Sequence, residues 1–286
     1  MTVVDAEVDP GSYVHFQPRL LSPTIGAELL GVDLAGPLDD SVIAEIRRAL
    51  LQFKVVFFRD QHIDRAQHVA FARRFGELEI HPATRPDAEH REILRIEHGP
   101  NSRGTENNWH SDVTWRETPS LGSILRAVEL PEVGGDTLFA DMYAAYDGLS
   151  PEMKRFVCGL TAVHDIARVF ASKLGKKAEE LHEKYPPVEH PVVRTHPETG
   201  RRLIYVNVGF TDRIKGLTAK ESAWLLDQLY ATAANADIQC RFRWEPGSLA
   251  FWDNRACQHF AASDYYPARR VMERATIAGD KPYFTP

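Results

Sequence analysis

Short β-branched and aromatic runs, separated by turn residues and not alternating regularly with helices, restrict this chain more than any other feature. Lys54-Val-Val-Phe-Phe-Arg59 is the clearest of them, apolar at every inner position and stopped by Asp60, as a buried strand is. Gly122–Leu130, Thr137–Phe139, Val192–Thr195, Leu203–Val208, Ser248–Asp253 and Arg270–Ala278 read as further strands. His196-Pro-Glu-Thr-Gly200 lies between two of these runs, with proline and glycine placed where a hairpin reverses. A doubly wound sheet needs strand and helix in turn, so the expected class is α+β, with an antiparallel barrel or sandwich.

Four helices are legible between the strands. Asp39, Asp40 and Ser41 offer an N-cap before Ile43, Ile46 and Leu50, which recur at helical spacing. A second helix starts at Asp64 and ends before Gly76, with Val69 and Phe75 toward the core and the glycine available as a left-handed C′ residue. Ser150, Pro151 and Glu152 open a third. Thr218 and Glu221 form a capping box ahead of Trp224, Leu225, Leu229 and Tyr230. Residues 165–190, polar and rich in Lys and Glu, read as a solvated surface helix and loop, with a helical lid as the alternative. No repeat or linker divides the chain, so residues 1–286 are expected to form one domain.

The formal net charge of −6 gives no global cationic field, so neither nucleic acid nor an anionic membrane is an expected partner. Any anion must then be held by local arginines. The three cysteines, Cys158, Cys240 and Cys257, are far apart and form no CxxC pair, so they read as small buried hydrophobes. The first residues carry acids and no basic flank before an apolar stretch, which does not look like a secretory signal, and the apolar runs are too short to cross a bilayer. The expected location is the cytoplasm.

Trp109-His-Ser-Asp112 sets His110 and Asp112 two residues apart, on one face if the backbone is extended. His259 follows the strand-like run ending at Asp253, with Asn254 and Arg255 in a turn. Two histidines and one carboxylate are the ligand set of non-haem iron(II) oxygenases, and they leave three octahedral positions for a chelating 2-oxo acid and oxygen. Zinc accepts the same three ligands, so a zinc hydrolase stands as an alternative of another class.

Arg270 and Arg274 share one face of the last strand, since their separation is even. A buried guanidinium needs an anion in bidentate geometry, and the distal carboxylate of 2-oxoglutarate supplies one. Arg270 is the candidate partner. The clamp counts against a zinc hydrolase, which has no need of a 2-oxo acid, while a non-catalytic 2-oxoglutarate-binding protein would keep it.

With these residues in place the chain resembles the taurine/2-oxoglutarate dioxygenase family of the TauD/TfdA type. The resemblance runs over Val55–Asp60, Phe75-Gly-Glu77 with His81-Pro82, Trp109–Thr114, Gly134-Gly-Asp-Thr137, His190–Pro197, Trp252-Asp-Asn-Arg255 and Arg269–Asp280. It implies a double-stranded β-helix, or jelly roll, with flanking helices. It also implies Fe(II) on His110, Asp112 and His259, with 2-oxoglutarate held by Thr137 and Arg270. The reaction so implied uses O2 and couples decarboxylation of 2-oxoglutarate to succinate with hydroxylation of a second substrate. A homo-oligomer is expected by analogy alone.

The same resemblance places His81 and Arg274 on a sulfonate and Phe210 in an aromatic wall. Thr84, Glu106 and Ile166 depart from the taurine pattern, which has a tyrosine, an asparagine and a phenylalanine there. Glu106 is a candidate partner for a substrate ammonium. With iron, Asp112, 2-oxoglutarate and both arginines counted, the site keeps about one positive charge, which a small monoanion would neutralise. Taurine or a related sulfonate, releasing sulfite and an aldehyde, is therefore placed first. Alkyl sulfates come next, as do aryloxyalkanoates, whose family members Val163–Phe170 resembles.

Overall fold

A computed structural model of the chain describes residues 13–81, 84 and 89–286. The leading segment read above against a secretory signal, and Pro82 of the His81-Pro82 pair, lie outside the described residues.

The chain opens with the hairpin β1 (Gln17–Leu20) and β2 (Ala27–Leu30), followed by α1 (Asp40–Phe53), β3 (Val55–Phe58) and α2 (Arg65–Arg73). Next come β4 (Ile93–His98), β5 (Gly122–Glu129), β6 (Thr137–Asp141), α3 (Met142–Asp147), α4 (Pro151–Val157) and β7 (Thr161–His164). Helices α5 (Ala167–Leu174) and α6 (Ala178–His182) precede β8 (Val188–Pro191), β9 (Val193–Thr195), β10 (Arg202–Ile204), β11 (Thr211–Ile214) and α7 (Ala219–Ala233). The last strands are β12 (Gln239–Phe242), β13 (Leu249–Asp253), β14 (Cys257–Ala261) and β15 (Arg270–Ile277).

The result is a mixed α/β fold around a large sheet of order β1-β2-β3-β13-β5-β15-β4, antiparallel except where β2 meets β3. A smaller sheet, β12-β6-β14, is likewise antiparallel. The run Val55–Phe58 is apolar throughout because both of its faces are covered. Val55 and Phe57 join Leu125, Phe139, Phe242 and Trp252 in a cluster between the two sheets. Val56 and Phe58 join Ile46, Leu50, Phe71 and Phe75, from α1, α2 and the residues after it, on the opposite face.

Each of the four legible helices forms, with local differences. Asp39 caps α1 without a side-chain hydrogen bond, whereas Asp64 and Thr218 each make the reciprocal capping box. Helix α2 closes at Arg74 in right-handed conformation, so Gly76 is not its left-handed cap. The glycine serves packing instead, since a Cβ there would lie 2.9 Å from Ile277 Cγ2. Trp224, on the apolar period of α7, is 56% exposed. The run expected to continue to Val208 pairs as a strand only to Ile204. Residues 165–190 form α5, α6 and the start of β8.

Candidate functional site

Two short segments, the stretch holding His110 and Asp112 and the strand holding His259, come together beside one cavity. His259 sits in β14, reached from β13 by the turn at residues 254–256, as its sequence position suggests. The His110 segment departs from the expected strand end. His110 makes a single antiparallel bridge with His259, its N–H to His259 O at 3.1 Å and the return bond at 2.8 Å, and the chain then turns. Asp112 therefore meets His110 through a turn and not through a shared strand face.

The three side chains nevertheless come together. His110, Asp112 and His259 each offer a ligand atom, all within 4.8 Å of one another, and all three residues are buried. His110 Nδ1 donates to Asn108 O at 2.8 Å, which leaves Nε2 as the lone-pair atom. Burial, aided by neighbouring His110, pushes His259 down to about 3, so its imidazole is neutral. Burial alone would raise Asp112, but Arg274, His259 and His110 hold its carboxyl well below the usual range. Two imidazoles and a carboxylate suit a divalent first-row metal that keeps open positions.

The cavity beside this triad measures about 220 Å³ and receives side chains from both sheets. Arg270, Met272 and Arg274 all line it, so the face of β15 that the two arginines share is turned toward the cavity. Arg270 is 5% exposed; its Nε donates to Gly135 O at 3.2 Å, while its buried Nη2 has no hydrogen-bond partner among the described residues. Thr137 lines the same end and accepts from Trp244 Nε1 at 3.0 Å. Gly135 (φ +74°) must be glycine there, because a Cβ would come within 3.0 Å of the Arg270 side chain. A buried, incompletely bonded guanidinium beside a hydroxyl is a receptor for a carboxylate.

Arg274 makes a different set of contacts. Its Nη1 lies 2.9 Å from both Asp112 oxygens, and its buried Nε has no hydrogen-bond partner among the described residues. His81 lines the cavity near it, held down to about 4 by burial and by Arg274 and Arg116, and so is neutral. Phe210 also lines the cavity, 6.4 Å from the His110 ring. Ile166 packs behind it with Val113 and Trp115.

Glu106 lines the cavity too, but its charge is already engaged. His98 Nε2 lies 3.1 Å from one oxygen and Lys173 Nζ 3.2 Å from the other. Burial works against ionisation, yet these partners hold the carboxyl well below its ordinary range. The expected receptor for a substrate ammonium is thus already neutralised. His98, Lys173, Trp244 and Tyr265 escaped sequence reasoning because none sits in a spaced motif with another; only a strand register or a helix docking brings them to the site. Helix α5 supplies Val169, Phe170 and Lys173 to the wall, so part of the 165–190 stretch faces the cavity rather than water.

Comparison with known proteins adds independent findings. The profile of the taurine catabolism dioxygenase TauD, TfdA family matches residues 17–276. The chain is 37% identical to an alpha-ketoglutarate-dependent sulfate ester dioxygenase of Pseudomonas putida, over 90% of this chain and 88% of that one. It is 36% identical to an (S)-phenoxypropionate/alpha-ketoglutarate-dioxygenase of Sphingobium herbicidovorans, over 91% and 94%. A crystal structure of a taurine dioxygenase from Burkholderia xenovorans is similar at a TM-score of 0.82 and 41% identity, covering 94% of this chain and 91% of that one.

Proposed function

Because the chain belongs to the taurine catabolism dioxygenase TauD, TfdA family, we propose that it hydroxylates an organosulfur monoanion with an uncharged, apolar tail. It is a 2-oxoglutarate-dependent dioxygenase, and Fe(II), 2-oxoglutarate and O2 are its co-reactants. His110, Asp112 and His259 would hold the iron, which when bound would supply the oxidising chemistry that couples decarboxylation of 2-oxoglutarate to succinate and CO2 with hydroxylation of the substrate. Thr137 and Arg270 receive the distal carboxylate of 2-oxoglutarate, and the unpartnered Nη2 of Arg270 carries that assignment.

The prime substrate enters with its anionic head toward Arg274 and His81. Arg274 brings a planar fork whose Nε is unpaired, and neutral His81 adds a hydrogen bond. Leu94, Ile96, Val113, Val169, Phe170 and Phe210 line the cavity, surfaces that favour a hydrocarbon tail. Taurine, first on the sequence reading, would bring an ammonium to a pocket where Glu106 is already bound by His98 and Lys173. An alkyl sulfate suits this wall better. Hydroxylation of its carbon next to the ester oxygen gives an unstable hemiacetal that collapses to an aldehyde and sulfate; the same step on a sulfonate gives sulfite.

The paired sheets around the site support reading the core as a double-stranded β-helix, with residues 1–286 one domain and 165–190 a lid over the cavity mouth. A panel of taurine, medium-chain alkyl sulfates and 2-phenoxypropionate, scored by succinate with sulfite, sulfate or phenol release, tests the substrate reading. Alkyl sulfates should give the highest kcat/KM. Arg274→Ala should raise KM for any anionic substrate by about a hundredfold, the worth of a charge-assisted bidentate contact. Undiminished coupling in that variant would remove the head-group assignment.

A further inference from the structure

Asp112 is followed by a residue in an unfavourable posture. Val113 has φ +50°, in the left-handed region that a β-branched side chain avoids, and it is buried. Such a posture persists only where neighbours over-determine it. The neighbour that grips the backbone here is Asn254, itself 0% exposed. Its Oδ1 accepts from Asp112 N at 2.6 Å, and its Nδ2 donates to Asp112 O at 2.9 Å. The same Nδ2 reaches Ser120 Oγ at 3.1 Å, and Asn254 N donates to Leu121 O at 2.9 Å. Both main-chain polar groups of Asp112 are thus bonded to one side chain.

Asn254 is rigid for a separate reason. The preceding Asp253 accepts from Arg255 Nε and Nη2 at 2.9 and 2.8 Å and pairs with His196 Nε2 at 3.0 Å, all three residues buried. The turn that bears Asn254 then runs directly into β14 and His259. One anchored turn therefore bears on the placement of Asp112 and of His259, two of the three candidate ligand residues.

We propose that Asn254 is a positioning residue that holds Asp112, against the strain at Val113, in the posture needed to bind the metal. This rests on the assignment of His110, Asp112 and His259 as ligands. A purely structural asparagine would affect stability alone, whereas a clasp on a ligand's backbone must also set metal affinity.

The test is calorimetric titration of the metal-free full chain with Mn(II), each variant measured well below its own Tm. N254A should bind Mn(II) about 10- to 100-fold more weakly than the wild type, the range seen when support of a ligand is lost. H68A, which disturbs a buried histidine hydrogen-bonded to Ile124 O, should lower Tm while leaving Mn(II) affinity unchanged. V113G/N254A should recover at least threefold of the loss, because glycine adopts φ +50° without strain. N254S carries the same expectation if N254A does not fold. Affinity in N254A within about twofold of wild type, or no recovery in the double variant, overturns the proposal. D112A reports on the premise separately: Mn(II) binding that survives it intact removes the ligand assignment itself.

Discussion

Arg270 illustrates how a single side chain can hold chemistry that its neighbours cannot. Burial lowers its affinity for a proton, Tyr265 and nearby acids oppose that, and Gly135 O takes only one of its donors. Lysine would keep the charge but lose the planar fork, so Arg270→Lys should weaken 2-oxoglutarate binding about 10- to 100-fold in the presence of Mn(II), measured by titration. Little change would mean that the fork does not meet a carboxylate. Asp253 is the corresponding case for stability. Asp253→Asn removes one of the two carboxylates 2.8 Å from Arg255 Nη2, Glu198 being the other, and a drop of about 1.5–3 kcal/mol, read from denaturant unfolding, is expected for the lost charge-assisted hydrogen bonds.

At the scale of elements, α5 is the piece whose placement decides what the cavity admits. None of its residues is fully buried, and Ala167, Val169, Phe170 and Ala171 pack half-buried against Val113, Trp115, Leu181 and Phe210. One of its ion pairs, Lys173 on Glu106, has both side chains about one-third exposed. An exposed pair is worth about 0.2–1 kcal/mol, so Lys173→Ala should raise KM for a tailed substrate by no more than about fivefold, and added salt should mimic the substitution. A steady-state comparison at low and high ionic strength checks this. Strand β15 contrasts with α5: it is paired on both sides, with β4 and β5, and its arginines are correspondingly fixed.

For the molecule as a whole, buried neutral histidines set the response to acid. His68 and His190 are both pushed down to about 4, chiefly by burial, from an ordinary value of 6.5. The unfolded chain binds these protons near pH 6.5 and the folded chain only near pH 4, so stability is present above pH 6.5 and falls as pH drops between those values. His68, fully buried against Ile124 O, should contribute on the order of 2 kcal/mol to that fall. The Tm of wild type should therefore drop more between pH 7 and pH 4.5 than that of His68→Gln. Equal drops would show that His68 is not neutral in the fold. Among the described residues no helix is long and apolar enough to cross a membrane.

Local chemistry was readable in the chain itself. The helix start at Asp64, the capping box at Thr218, the doubly apolar run Val55–Phe58, and the even spacing of Arg270 and Arg274 depend on neighbours within a few residues, and each took the form its pattern dictates. The His-x-Asp spacing and the distal histidine were likewise visible as ligand types. Tertiary structure alone decided how they meet. Asp112 reaches His259 through a strained turn gripped by Asn254, and Glu106 loses its free charge to His98 and Lys173, residues 8 and 67 positions away. Contacts across such separations arise when sheets register and helices dock, processes driven by burying area over the whole chain, and no spacing along the sequence encodes them.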